Sequence, residues 1–293
     1  MTSVEVVVPV FNDQIRLNRL LASLARQTLS PLSFGVIVVD NGSDVPVTLP
    51  DGLPFDCRLI FCAAPGSYAA RNLAWPLSNA PWIAFTDSDC LPDDTWLEAG
   101  LKAALGQADG VLPRLLAGRI QMIPSSDQAL TSADLLELSF GMNQERYVRS
   151  GGYGITANLW VERSLLEQLG GFNALRKSGS DRDFCLRASQ YGVKVFYVEG
   201  CSLRHPARSQ QEVEIKARRL IGGRVDAAGP KFVSRLLALV MHTRPLLREG
   251  WVCLWLPLPW MDRCRMLRLM LHLRLIAMSE WFSLVFLSSL SQR

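Results

Sequence analysis

Four short runs of β-branched and aromatic residues mark the first ninety positions: VEVVVPVF (4–11), FGVIVVD (34–40), CRLIFC (57–62) and WIAFTD (82–87). Apart from Glu5, Arg58 and the polar residues at their ends, the runs are apolar instead of alternating, the pattern of strands covered on both faces. Between them Leu17, Leu20, Leu21 and Leu24 recur at helical spacing and predict a helix over 16–27, with a second helix predicted over 68–77. Strands alternating with helices imply a parallel sheet with right-handed crossovers and helices on both sides.

The strands end in polar clusters: Asn12-Asp13, Asp40-Asn41-Gly42-Ser43 and Asp87-Ser88-Asp89. In open α/β sheets ligands bind outside the carboxyl ends of the strands, so these clusters are expected to converge on one edge. Residues 110–210 then show a Gly-rich turn (151–154), a helix from about 162 to 169 stopped by Gly170-Gly171-Phe172, and a helix opened by Ser180 and closed by Gly192. A strand-like KVFYVEG follows at 194–200. Past about 211 the pattern becomes helical and rich in Leu and Trp, with Pro245, Pro257 and Pro259 as breakers. The expected organisation is a unit of residues 1–210, in two halves meeting near 110, and a tail of 211–293.

Charge sharpens that division. The 293 residues carry 31 Lys and Arg against 27 Asp and Glu, a net +4. Residues 212–293 alone hold 13 against 6, a net +7, leaving 18 against 21, a net −3, for the rest. With 49% hydrophobic residues the chain is not disordered, and the totals give no support to a nucleic-acid partner. Seven cysteines, with no C-x-x-C pair and no zinc-like spacing to His205, His242 or His272, read as reduced and mostly buried. The first residues lack a basic n-region, which suits a cytoplasmic protein.

In the tail, Arg244, Arg248, Arg263, Arg265, Arg268, Arg274 and Glu280 interrupt every apolar stretch, so a membrane span is not expected. Residues 263–290 instead show a narrow polar stripe of Arg265, Arg268, His272, Ser279 and Ser283, and TRPLLREGWVCLWLPLPW (243–260) sets arginines beside tryptophans. Basic residues next to Trp and Leu suit helices lying in the plane of an anionic bilayer, through residues 243–290. A helical hairpin packed on the preceding domain or on a second subunit is the competing reading.

The candidate chemistry lies in the crevice. Asp87 and Asp89 offer hard oxygen donors for Mg²⁺ or Mn²⁺ on a diphosphate, or are acids on a solvated turn before a helix starting near Pro92. Asp40 can accept hydrogen bonds from a base or ribose, although Asp40-Asn41-Gly42-Ser43 alone is also an ordinary turn. Arg71, on the first turns of its helix, can meet a phosphate or a nucleobase carbonyl, or be a surface arginine. Asp181 and Asp183 suit a capping-box-like helix start with Ser180 as the cap. Arg204, Arg208, Arg218 and Arg219 can face a diphosphate or form a solvated basic face. Trp75, Trp82 and Trp96 read as packing residues.

In their order and spacing, VVVPVFND, VIVVDNGS, PGSYAARN, FTDSDCLPDDTWL, the N-x-x-x-x-R…GGF segment from Asn158 to Phe172, and SGSDRDFCLR resemble the family 2 glycosyltransferases over about residues 4–206. The resemblance implies an α/β fold of the GT-A type, a Rossmann-like αβα sandwich with a C-terminal helical extension. Residues 1–109 would form its nucleotide-binding half and 110–210 its acceptor half. It implies inverting transfer from a nucleoside-diphosphate sugar, a UDP-sugar first among them, to a glycan or lipid-linked hydroxyl. The setting would be cell-surface polysaccharide or glycolipid synthesis at the inner face of the cytoplasmic membrane.

By the same resemblance Pro9, Phe11, Asp13, Asp40, Arg71 and Asp87 bind the nucleotide. Asp89 and His205 hold a divalent cation, Mn²⁺ or Mg²⁺, Asp181 is the base, and Asp183 and Asn158 meet the acceptor. The family's usual Glu-Asp-x-Asp stands here as Ser180-Asp181-Arg182-Asp183, a departure that bears on acceptor contacts more than on the chemistry. Two other functions compete. A metal-dependent nucleotidyltransferase is disfavoured because no Gly-rich, Lys-bearing phosphate loop is present. A non-catalytic membrane adaptor is disfavoured because Asp40, Asp89 and Asp181 are all retained.

Overall fold

The computed structural model describes residues 2–106, 112–229, 231–243 and 247–286. It divides into two compact units: Met1–Gln121 with Met142–Leu175 and Gly179–His205, and Met122–Gly141 with Arg176–Ser178 and Pro206–Arg293.

The first unit begins with β1 (Val4–Val10), α1 (Gln14–Leu24), β2 (Phe34–Asp40), β3 (Asp56–Phe61), α2 (Ser67–Ala74) and β4 (Trp82–Thr86). It goes on through β5 (Leu91–Pro92), α3 (Trp96–Leu105) and β6 (Leu115–Ile123). After α4 (Ser132–Phe140), which belongs to the second unit, come α5 (Gln144–Gly151), β7 (Asn158–Glu162), α6 (Arg163–Leu169), α7 (Ser180–Gln190) and β8 (Phe196–Pro206).

The strands form one eight-stranded sheet in the order β3-β2-β1-β4-β7-β6-β8-β5. The first four strands are parallel, as their alternation with helices predicts. The second half is not: β7 runs antiparallel to both β4 and β6, and β5 antiparallel to β8. An apolar run reports burial on both faces and carries no direction, so this reversal is invisible in the pattern.

Both faces are covered along the central strands, but β3, at the edge of the sheet, is largely exposed, so the expectation of a strand buried on both sides does not hold for residues 57–62. Val7, Ile37, Phe85, Leu115 and Leu159 point to one side, where they pack with Tyr68 of α2, Leu165 of α6 and Phe184 of α7. On the other parity Trp160 of β7 meets Trp96 of α3, ring centroids 5.5 Å apart and nearly edge-on. Gly100 is what lets α3 come so close, because a Cβ there would stand 2.3 Å from the Trp160 ring. Gly100→Ala is expected to cost about 1–3 kcal/mol by overpacking, read as a lowered denaturant midpoint at unchanged m-value.

The second unit joins α4 to α8 (Gln210–Ala227), α9 (Phe232–Thr243), α10 (Leu247–Trp255) and α11 (Trp260–Phe286). Arg244 and Pro245, and the chain beyond 286, lie outside the described residues. Pro257 and Pro259 fall between α10 and α11, where a missing N–H costs no helix bond. Much of the tail's apolar content is internal: Ile221 and Val225 pack with Ala277, Trp281 and Leu284, and Leu135 packs with Cys253, Met266 and Met270. By length and composition α11 is able to cross a membrane despite Arg274 and Glu280. The expectation that charge rules out every candidate span therefore does not hold for this helix.

Residues 122–141 join the tail through Glu137. Its buried carboxylate accepts hydrogen bonds from Lys216 Nζ (2.9 Å) and the Arg208 guanidinium (3.1 Å), so Arg208 is part of a packed charge cluster and not of a solvated basic face. Burial pushes the Glu137 pKa up, but Lys216 and Arg208 more than offset it and hold it below the ordinary glutamate value. The stabilisation it gives is therefore full above the unfolded-state pKa and is lost as pH falls through the depressed folded one. Glu137→Ala removes a buried carboxylate that both Lys216 and Arg208 bond, and is expected to cost about 3 kcal/mol, measured by thermal or urea unfolding near neutral pH.

Candidate active site

From β1 the chain steps outward through β2 to β3 and returns on the far side of β1 as β4. Such a reversal opens a crevice at the carboxyl ends of the strands, where residues 12–13, 40–44, 62–67 and 86–89 stand. Asparagines lace these loops together. Asn12, in the left-handed region at φ 51°, receives a hydrogen bond on Oδ1 from Asp44 N (2.8 Å) and donates its own N–H to Ser43 Oγ (2.9 Å). Asn41 donates to the carbonyls of Cys62 and Ala64 and accepts from Gly66 N (2.8 Å). Asp40, buried at the end of β2, accepts from Ser43 N (2.9 Å) and Val47 N (3.3 Å), which fixes the carboxylate inside its own turn.

Arg71 is not a surface arginine. It is 1% exposed, ion-paired with Asp87, and lies over the Tyr68 ring at 5.7 Å, while its Nε has no hydrogen-bond partner. Its guanidinium thus aims Asp87, which keeps about a third of its side chain open to solvent.

Asp89 and His205 come together through the sheet. The pairing of β5 with β8 sets Leu91 opposite Arg204 and so delivers the fully buried His205 to Asp89. His205 Nε2 stands 3.4 Å from Asp89 Oδ1, a buried oxygen that accepts no hydrogen bond among the described residues. Ligand atoms of Asp89, Cys90 and His205 lie within 4.8 Å of one another, which makes this a candidate metal site. The Cys90 thiol is held well above its ordinary pKa by burial and by Asp89 and Asp87, and it points at the Ala157 carbonyl. A protonated thiol is a poor ligand for a hard cation, which leaves the carboxylate and the imidazole.

Asp181 lies in the first turn of α7 and is 7% exposed. It accepts from Arg182 N (2.8 Å) and Thr156 N (3.3 Å). Burial raises its pKa above the ordinary aspartate value; those two N–H groups, Arg71 and the Tyr68 hydroxyl pull it partly back. Ser180 is not the cap: Gly179, at φ 77°, occupies the N-cap, and Ser180 Oγ is buried without a partner. A serine one position too late cannot reach the free N–H groups.

Several of the remaining sequence candidates also make structural contacts. Asp13 caps α1 by accepting from Arg16 N (3.3 Å); burial raises its pKa, with a smaller push from Asp89 across the crevice. Pro9 is buried within β1 opposite Val39, and Phe11 stands half exposed just beyond the strand. Asp183 pairs with Arg187 (3.1 Å), whose guanidinium ties down the carbonyls of Leu169 and Gly171. Asn158 is fully buried, donating to the Arg119 and Cys201 carbonyls (both 2.9 Å) and accepting from Trp96 Nε1 (2.9 Å), so no atom of its amide is left for an acceptor. Asn72, given no role from the sequence, clamps the Phe172 backbone through both its N–H and its carbonyl. Its place one residue after Arg71, with the GGF turn a hundred residues on, was the available signal.

The first unit is thus a layered α/β sheet whose crevice holds an Asp-x-Asp beside a buried Arg and a later buried Asp. The sequence profile described as "Glycosyl transferase family 2" matches residues 5–170. The chain is 29% identical over 231 residues to Glycosyltransferase AglE of Haloferax volcanii, covering 76% of this chain and 73% of that one. It is 27% identical over 256 residues to the Pre-mycofactocin glycosyltransferase of Mycobacterium tuberculosis, covering 85% of this chain and 52% of that one.

Among solved structures, the mannosyltransferase PcManGT from Pyrobaculum calidifontis, in complex with GDP-Man and Mn²⁺, matches with a TM-score of 0.58 at 16% identity, over 98% of this chain and 88% of that one. S. aureus TarS residues 1–349 with UDP-GlcNAc matches with a TM-score of 0.53 at 14% identity, over 97% and 84%. At such identities the likeness concerns the fold. The chain belongs to glycosyl transferase family 2 and is a glycosyl-transferring enzyme.

Proposed function

We propose that this enzyme transfers a sugar with inversion from a nucleoside-diphosphate sugar to a hydroxyl acceptor, with Asp181 as the base. The observation that carries the reading is Asp181 itself, a carboxylate fixed by two backbone N–H groups on the first turn of α7, whose desolvation makes it a stronger base than an ordinary aspartate. The acceptor oxygen attacks the anomeric carbon as its proton passes to Asp181, and the bond from that carbon to the diphosphate oxygen breaks. Asp40 and the laced loops at the ends of β1 and β2 receive the nucleoside, and Arg71 keeps Asp87 turned to the ribose side.

The Asp89 oxygen that lacks a hydrogen bond and the adjoining His205 nitrogen fit a divalent cation, Mn²⁺ or Mg²⁺. When bound, the cation supplies Lewis-acid neutralisation of the charge left on the diphosphate. The GDP-Man and Mn²⁺ complex of PcManGT and the UDP-GlcNAc complex of TarS support this donor class, with a UDP-sugar as the first choice. The proposal extends to a glycan or lipid-linked acceptor, to cell-surface polysaccharide or glycolipid synthesis, and to a peripheral site on the inner face of the cytoplasmic membrane.

Calorimetry with a panel of UDP- and GDP-sugars, with Mn²⁺ and after chelation, tests the donor. Binding of at least one, weakened by chelator, is expected; failure of every nucleotide sugar with cation present overturns the reading.

A further inference from the structure

Three helices of the second unit turn apolar side chains outward. On α9 the exposed residues are Phe232, Val233, Leu236, Leu237 and Val240, while the partly buried Arg235 bonds the Gly229 carbonyl (2.8 Å). On α10 Trp251 and Trp255 are 64% and 73% exposed, their rings 5.9 Å apart. On α11 Leu271, Leu275, Met278 and Phe282 recur at steps of four, three and four along one exposed stripe, away from the inward Met266, Met270, Ala277 and Trp281. A surface helix of a soluble protein carries the opposite arrangement, and exposed apolar area on three helices at once calls for a partner.

Charge says which partner. Arg268 and Arg274 border the α11 stripe on either side, Lys231 is exposed just before α9, and residues 212–293 carry a net +7. A second copy would bring the same positive charge against itself, whereas lipid phosphates complement it. A transmembrane placement of α11 meets a different obstacle. Its other side is packed on α8, with Glu280 3.9 Å from Arg218 and His272 3.1 Å from Glu214. Insertion would strip those pairs or pull charged α8 into hydrocarbon.

We propose that the outer faces of α9, α10 and α11 dock in the plane of an anionic bilayer, tryptophans at the headgroup level and arginines on lipid phosphates. This rests on the peripheral setting proposed above and not on the identity of the base.

The test is sedimentation of the full chain with phosphatidylethanolamine vesicles, with and without phosphatidylglycerol. Co-sedimentation that requires phosphatidylglycerol, a blue shift of tryptophan emission and release by alkaline carbonate are expected. Leu237→Glu and Leu275→Glu, both at exposed positions, are each expected to weaken partitioning by about tenfold or more. Trp255→Ser gives the same reading should either glutamate variant fail to fold. Indifference to phosphatidylglycerol, resistance to carbonate as for a spanning helix, or a lipid-indifferent dimer split by the same substitutions would each overturn the inference. Donor calorimetry on the same samples separates the two proposals: donor binding without vesicle binding sinks only this one, and vesicle binding without donor binding sinks only the donor reading.

Discussion

Asp181→Asn is expected to lower kcat by about 10²–10⁴-fold, the usual contribution of a positioned general base, with donor affinity retained. Asparagine keeps the size of the side chain, and its single carbonyl oxygen can still accept from one of Thr156 N and Arg182 N, which bond the two different carboxylate oxygens of Asp181. The same substitution should flatten the pH dependence of stability between the acid range and pH 7. A carboxyl whose folded pKa is raised binds its proton more tightly folded than unfolded, so stability falls as pH climbs from the unfolded-state value through the folded one. Removing the charge removes that dependence. In the wild type, kcat/KM should rise with pH and level off at an apparent pKa above the ordinary aspartate value. Turnover near wild type in the Asn variant, or a pH profile following an ordinary exposed carboxylate, would remove Asp181 from the base role.

Asp89→Asn is expected to cost about 10³-fold in turnover, since Lewis-acid stabilisation of a leaving diphosphate is worth several kcal/mol. Its second signature does not depend on chemistry. Among the described residues Asp89 Oδ1 accepts no hydrogen bond, so losing the carboxylate should leave the melting temperature unchanged or slightly raised. Mn²⁺ affinity measured by electron paramagnetic resonance should fall, and donor binding should lose its sensitivity to chelator. Retained Mn²⁺ binding in the variant would move the cation elsewhere.

The strands of the parallel half were legible to within about a residue of their ends, because β-branched runs bounded by Asn, Asp and Gly leave little choice. Asp40, Asp87 and Asp89 were legible for the same reason, each standing where a strand must stop. Burial and partnership were not legible. Nothing in PGSYAARN says that Arg71 is enclosed, because an arginine at helical spacing reads alike on either side of a helix until the opposite carboxylate is known. Ser180 looked like a cap since the motif fits, but Gly179 in the left-handed region displaced the helix start by one residue. Asn158 looked like a ligand residue because polar groups in a motif invite that reading, whereas its amide joins β6, β8 and α3. In the tail, periodicity revealed a polar stripe but not which of two apolar sides was packed. Only the contacts of α11 with α8 and α4 separate them.

The mixed direction of the sheet sets an order of assembly. Strands β1 to β4 and the loops assigned to the donor lie within the first ninety residues and are linked by short crossovers. Asp181 and His205 arrive only when Asn158 pairs back to Thr86 and Arg204 to Leu91. Contacts so distant in sequence are slow to close, and on the ribosome they must wait for the later half of the chain. On the proposed roles, a nascent chain would shape the loops for the donor well before Asp181 joined them, and would be spared from splitting donor until its last strand was in place.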